Sequence, residues 1–224
     1  MTAAMPTPDM LDAMHPMLRS LGWKLLQPFW FGPDEAAHVD VLLAMAEFPP
    51  GARVLDIGCG TGECARLMQK KRPDLKFELL NFSKAQLAEC PDWMTLHLAD
   101  AHDLPFTNAT FEAAMFCHSL GNMDALIALA QAWRVLKPGG VLFINDWRRL
   151  FGDDTDMERL LAYRAQREAD LYDYARFLGL AGMRRFSPTI YVEYLRREWP
   201  GPDRADYDIA AAGTEPAVWR FIKK

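Results

Sequence analysis

Apolar positions along the chain change period several times, and each change marks an element. Val54, Leu55 and Ile57 make Arg53 to Ile57 a short buried strand that runs straight into glycines. Phe77 to Asn81, Met94 to Leu98, Phe111 to Cys117 and Val141 to Asn145 predict four more strands. The stretches between them carry a helical period. Cys64, Leu67 and Met68 line one side of Glu63 to Lys71, and Leu126, Leu129, Ala130 and Trp133 recur between Asn122 and Leu136. Lys137-Pro138-Gly139-Gly140 stops the second of these helices. Ser83, followed three residues later by Gln86, predicts a capping box in which each side chain satisfies the other's orphan N–H. Strands alternating with helices imply right-handed crossovers and a parallel sheet.

The flanks extend this pattern. A helix starts from Pro33, with Asp34 and Glu35 at the positive end of its dipole and Val39, Leu42, Leu43 and Ala46 on its apolar face. Pro49-Pro50-Gly51 stop it. Thr155 with Glu158 opens a long helix that runs to Gly179–Gly182, and the last two strands fall at Thr189 to Leu195 and Ala217 to Ile222. The fold class is α/β: a doubly wound, mostly parallel seven-stranded sheet with helices on both faces.

Composition narrows the function classes. A chain of 224 residues buries roughly 70–75% of its unfolded surface, and so needs no metal or disulfide staple. Its 25 Lys and Arg against 30 Asp and Glu leave a net charge of −5, which disfavours a nucleic-acid or anionic-membrane binder. Cys59, Cys64, Cys90 and Cys117 form no CxxC pair and have no histidine at ligand spacing, so no metal site is expected. They read as reduced thiols in a cytoplasmic protein. The N-terminus lacks the basic flank and apolar core of a signal peptide, and no apolar run approaches the roughly 18 residues that span a bilayer.

The chemistry concentrates in Val54-Leu55-Asp56-Ile57-Gly58-Cys59-Gly60-Thr61-Gly62. Alternate glycines where a strand turns into a helix permit positive φ and let a ligand lie against bare backbone. A dinucleotide fingerprint needs GxGxxG, and a carboxylate at Asp56 would repel a pyrophosphate. Beside an ammonium-bearing ligand the same carboxylate is useful. A nicotinamide-dependent reductase is therefore disfavoured.

At this point the chain resembles the S-adenosylmethionine-dependent methyltransferases of the Rossmann-like class. VLDIGCGTGE at 54–63, LHLADAHDLPF at 96–106, FCHSLGNMD at 116–124 and WRVLKPGG at 133–140 carry the resemblance, which covers about residues 33–147. It implies S-adenosylmethionine as cofactor, S-adenosylhomocysteine as product and a small-molecule methyl acceptor. It also implies a cofactor site of Asp56, Gly58, Cys59, Gly60 and Gly62, with Asn81 toward the ribose, Phe82 packed on the adenine, Asp100 and the Ala101 N–H on the adenine edge, and Cys117 and Trp30 close by. At Asn81 the family normally places an acid that grips both ribose hydroxyls; Asn offers donor and acceptor but no charge. The domain would comprise an N-terminal helical cap over residues 1–50, a cofactor-binding half over 51–147 and a substrate side over 148–224, working as a monomer or homodimer.

Methyl transfer is an in-line displacement that needs alignment and exclusion of water, and a base only where the acceptor sheds a proton. His118, with Asn122, follows the fourth strand, and Asp146 and Trp147 follow the fifth. His118 is the candidate base, with a neutral ring beside the cofactor as the alternative. The acid- or Asn-Pro-Pro-aromatic motif of amine-methylating DNA enzymes is replaced by His118-Ser119-Leu120-Gly121. Trp23, Phe29, Trp30 and Phe31 suggest a lid or an anchor for the N-terminal helices, and Tyr191, Glu193 and Tyr194 a pocket wall. Arg148-Arg149, Arg184-Arg185 and Arg196-Arg197 read as solvated faces. A protein that binds the cofactor for regulation, or for chemistry other than methyl transfer, remains the rival.

Overall fold

A computed structural model describes residues 6–20, 34–152, 163–186 and 213–224. Five strands run parallel in the order β3 (Thr95–Leu98), β2 (Lys76–Asn81), β1 (Arg53–Ile57), β4 (Phe111–Cys117) and β5 (Leu136–Arg149). Beyond β5 the sheet turns antiparallel through β8 (Thr214–Lys223) to β7 (Leu180–Phe186). A two-residue strand, β6 (Gln166–Arg167), pairs with the end of β5 off this path. Helices α1 (Pro8–Ser20), α2 (Glu35–Ala46), α3 (Glu63–Lys71), α4 (Lys84–Leu87), α5 (Ala125–Val135) and α6 (Glu168–Leu178) complete the described elements.

Alternation along the central strands builds two cores. Val54, Leu79, Met115 and Phe143 pack against α2 and α3 through Val39, Leu42 and Met68. Leu55, Ile57, Phe116, Leu142 and Ile144 face the other way, toward Ala128, Leu129, Leu171 and Trp219. Burial on both faces is why these strands read as unbroken apolar runs. Asp56 shares the Val54 side at the carboxyl edge and is the exception that the site requires.

Several expectations need correcting. Asp34 caps α2 by accepting from the Ala37 N–H at 2.8 Å, so the helix begins after it and not at Pro33. Ser83 Oγ accepts from the Gln86 N–H at 3.2 Å, but the reciprocal bond is missing because Asn81 Oδ1 takes the Ser83 N–H instead. The buried face of α5 is Ala128, Leu129, Ala132 and Val135, with Leu126 outside, because Asp124 caps the helix and sets its phase. The Pro138-Gly139-Gly140 turn does not precede β5 but is absorbed into it, at a break in register between Phe111 and Ala113.

No helix joins residue 163 to α6. Arg164 N donates to Gly121 O at 2.9 Å and Gln166–Arg167 pair with Arg148–Arg149, holding that segment extended. The expected helix end is correct, since Gly179 closes α6 with a left-handed φ of 71°. The strand that follows at once, β7, was not expected. The predicted strand at 189–195 and the helix start at Thr155 lie outside the described residues, as do Trp23, Phe29, Trp30, Phe31, Tyr191, Glu193, Tyr194 and Arg196-Arg197. Arg148 and Arg149 are not a solvated face: Arg149 is buried, and Arg148 bridges Glu168 on α6 and Glu215 on β8. No helix among the described residues is long and apolar enough to cross a membrane.

Candidate functional site

The carboxyl ends of β1, β2, β4 and β5 meet at the glycine turn. Gly58, Gly60 and Gly62 all take positive φ, and the turn is held by Gly58 N and Cys59 N donating to Leu80 O at 2.8 and 3.1 Å. Two of these glycines are fixed by space as well as by φ. A Cβ on Gly58 would stand 2.5 Å from Ser119 Cβ, and one on Gly62 would stand 2.6 Å from Leu79 Cδ1. Across the turn, Ser119 Oγ donates to Ile57 O.

Asp56 lies beneath this turn, fully buried, and neither carboxylate oxygen has a hydrogen-bond partner in the structure. Burial without compensation raises its pKa to about 7. The Cys59 and Cys90 thiols both donate to Gly60 O, at 3.5 and 3.6 Å, and a second thiol pair joins Cys117 to Cys64. Those contacts and burial push the Cys59 and Cys117 thiols upward, away from reactive thiolates.

Asn81 ends β2 and is buried, with its carboxamide engaged inside the protein. Nδ2 donates to Gln86 Oε1 at 2.8 Å and to Gly60 O at 3.3 Å. Oδ1 accepts from Ser83 N, so Asn81 ties the β2 loop to the glycine turn. Phe82 is half-buried beside it, and Asp12 on α1 accepts from the Ser83 hydroxyl and from Ala85 N. Asp100, with its side chain 57% exposed, holds the His102 N–H and ring through Oδ1, and Ala101 next to it is buried.

His118 leaves β4 with φ 55°, a left-handed backbone uncommon for a residue with a Cβ, and its N–H donates to Asn145 O at 2.8 Å. Its ring stands edge-on to Trp147 with centroids 6.5 Å apart. Burial and the neighbouring His38 hold its pKa well below the ordinary histidine value, and burial takes His38 down to about 4. Next to them Asp146 accepts from Leu120 N at 3.1 Å and from Trp147 N at 2.7 Å, while burial raises its pKa to about 8. His38 and Ser119 escaped sequence reasoning. His38 was legible as the start of an i, i+4 ladder with Leu42 and Ala46; Ser119 had no local signal.

A model of the methyltransferase domain family matches residues 54–140. The 27-O-demethylrifamycin SV methyltransferase of Amycolatopsis mediterranei is 30% identical over 252 residues, spanning 96% of this chain and 92% of that protein. The chain belongs to the S-adenosylmethionine-dependent methyltransferases.

A ubiquinone/menaquinone biosynthesis C-methyltransferase from Desulfotalea psychrophila is 39% identical over 108 residues, 44% of this chain and 43% of that protein. Among solved structures, the cyclase SpnF superposes with a TM-score of 0.79 at 22% identity over 96% of this chain and 94% of its own. Geranyl diphosphate C-methyltransferase from Streptomyces coelicolor, solved with S-adenosyl-L-homocysteine, gives 0.72 at 14% identity over 85% of this chain and 79% of its own. At these identities the structures speak for the fold, a mixed and mostly parallel sheet with helices. The methyltransferase is thus a class I enzyme that takes its methyl group from S-adenosylmethionine. Its glycine turn suits that cofactor: the uncompensated Asp56 carboxylate calls for a cation, and the methionine end of the cofactor carries an ammonium.

Proposed function

We propose that the methyltransferase O-methylates a hydroxyl-bearing small molecule, with the cofactor's methionine end on the turn of Gly58, Cys59, Gly60 and Gly62 and its ammonium on Asp56. The buried, unpartnered Asp56 carboxylate carries this placement, because an ion in that position needs a counter-charge. In this reading Phe82 packs on the adenine, Asp100 and the Ala101 N–H take its polar edge, and Cys117 walls the cavity. Asn81 acts chiefly through the loop it braces, and reaches the ribose with the acceptor capacity left on Oδ1. Bound S-adenosylmethionine supplies a methyl group on a good leaving group, so the protein's task is to align the acceptor and keep water out.

His118 takes the proton an acceptor hydroxyl sheds. Support comes from its place at the end of β4 and from burial, which favours the neutral, proton-accepting form of the ring. For the acceptor, the rifamycin relative is informative because it is matched across nearly the whole chain, including the acceptor-side segments, and its name specifies an O-methyl product. The quinone C-methyltransferase relative is matched over less than half of the chain.

The same reading includes the cap over residues 1–50 and the substrate side over 148–224, supported by the bonds from Asp12 to the start of α4. It also includes a cytoplasmic location, supported by four free cysteines, and no nucleic-acid partner, supported by a net charge of −5. A monomer or homodimer is proposed. An acceptor screen over phenols, macrocyclic polyketide alcohols and quinols, read by S-adenosylhomocysteine release and the mass of the product, tests the assignment. Methylation at carbon or nitrogen alone would overturn the choice of oxygen.

A further inference from the structure

We propose that His102 is a positioning residue for the cofactor site: its imidazole holds the Asp100 carboxylate in the one orientation that receives the adenine amino group. The proposal rests on the reading that sets Asp100 at the adenine edge.

Asp100 follows β3, with its side chain 57% exposed. A carboxylate so exposed turns freely about its last bond unless something holds it, and a ligand that needs one orientation must then offset the lost freedom. His102 holds it twice. Its backbone N–H donates to Asp100 Oδ1 at 2.9 Å, and its ring Nδ1 stands 2.7 Å from the same oxygen. At that distance from a carboxylate oxygen the nitrogen carries its proton. Both contacts fall on Oδ1, so Oδ2 is the oxygen left for a ligand.

The ring is aimed from its other end. Nε2 accepts from the Asp124 N–H at 2.9 Å and so bears no proton, which fixes the tautomer as Nδ1–H. Asp124 is the N-cap of α5, and α5 is anchored in the core through Ala128, Leu129 and Ala132. Farther along that helix, Arg134 donates to Leu104 O at 2.8 Å and to Phe106 O at 2.6 Å. The loop from Asp100 to Phe106 is thus braced on α5 at both ends, and the His102 side chain carries that rigidity onto the carboxylate. The residue type fits the double task. A glutamine could serve the Asp124 N–H alone, and an asparagine could serve Asp100 alone. An imidazole with a donor at one nitrogen and an acceptor at the other serves both. The consequence is selection: an acceptor oxygen held in one direction favours a purine with an amino group there over one without it.

Calorimetric titration of the whole chain and its variants with S-adenosylhomocysteine, and with the analogue bearing hydrogen in place of the adenine amino group, tests this. His102→Gln is expected to weaken S-adenosylhomocysteine about fivefold and to leave the analogue's affinity unchanged, whereas His102→Asn, which keeps an N–H in the place of Nδ1, restores binding of both. Asp100→Ala removes the preference for the amino group, and adding His102→Gln to it changes nothing further. Nitrogen NMR of the wild-type ring is expected to show a protonated Nδ1 and a bare Nε2. An equal loss for the two ligands in His102→Gln, no loss at all, a matching loss in His102→Asn, or a proton on Nε2 each overturns the proposal and leaves Asp100 at the adenine. An unchanged preference in a folded Asp100→Ala variant overturns both.

Discussion

The Ser119 hydroxyl donates to the Ile57 carbonyl across 2.6 Å and thereby pins the loop after β4 to the last residue of β1. The contact is tight on both sides, since Gly58 leaves only hydrogen between itself and Ser119. Ser119→Ala strands a buried carbonyl and is expected to cost about 1–2 kcal/mol, with weaker S-adenosylmethionine binding. Gly58→Ala is expected to cost more, because it adds the 2.5 Å clash with Ser119 to a φ of +76°. Chemical denaturation and calorimetric titration of the two variants check the order.

Asn81 invites the opposite experiment. Asn81→Asp restores the acid found elsewhere in the family, yet here it would lose the Nδ2 donors to Gln86 Oε1 and Gly60 O and set a carboxylate against the Gly60 carbonyl. The expected outcome is a loss of about 1–2 kcal/mol of stability and no gain in cofactor affinity. Tighter binding by a variant of unchanged stability would show that Asn81 serves the ribose more than the loop.

The pH dependence follows from four buried groups. Asp56 and Asp146 have folded pKa values of about 7 and about 8, far above their unfolded values, so the folded state holds protons that the unfolded state has released. Their contribution is complete below the unfolded carboxylate range and is lost as pH rises through 7 and 8. His38 at about 4, with His118 also depressed, works the other way: the unfolded state binds more protons below about pH 6.5, so stability is lost as pH falls toward the folded values. Between the unfolded carboxylate and histidine ranges the two kinds of group therefore act in opposite senses. Above that only the carboxyls act, and the cofactor-free protein is expected to lose about 2 kcal/mol between pH 6.5 and 8. Denaturation curves across that window check the slope, and Asp146→Asn should flatten it.

His118→Gln separates the base from the bland neutral ring. As the base, its replacement lowers kcat at least about tenfold and leaves the cofactor dissociation constant alone. Wild-type kcat should show no inflection near the ordinary histidine pKa, because the ring is already neutral there. Full turnover in the variant would return His118 to a packing role.

The parallel half of the fold was legible because its signals are local. β1, α3 and β4 fall on their expected boundaries, the strands as apolar runs and the helix by its one apolar side, each closed by glycine, charge or a loop. Reading failed where long-range pairing overrode local pattern. Gly182 and paired arginines conceal β7, which is a strand because β8 supplies its ladder, and residues 163–167 are extended because Gly121 and β5 hold their backbone. The site divides in the same way. The glycine turn, Asp56 and Asn81 stand in one motif and the loop beside it, whereas Ser119 and His38 reach the site only through tertiary contact. Within the β2 loop, Asn81 takes both partners of the expected capping box, accepting from Ser83 N and donating to Gln86 Oε1.

Calorimetric titration of the purified protein with S-adenosylmethionine, run in parallel on Asp56→Asn, bears most directly on the placement of the cofactor. Saturable micromolar binding at one site per chain is expected for the wild type, weakened at least tenfold in a folded Asp56→Asn variant. Equal affinity in the two proteins, or no binding by the folded wild type, would contradict the assignment of the ammonium to Asp56 and of the cofactor to the glycine turn.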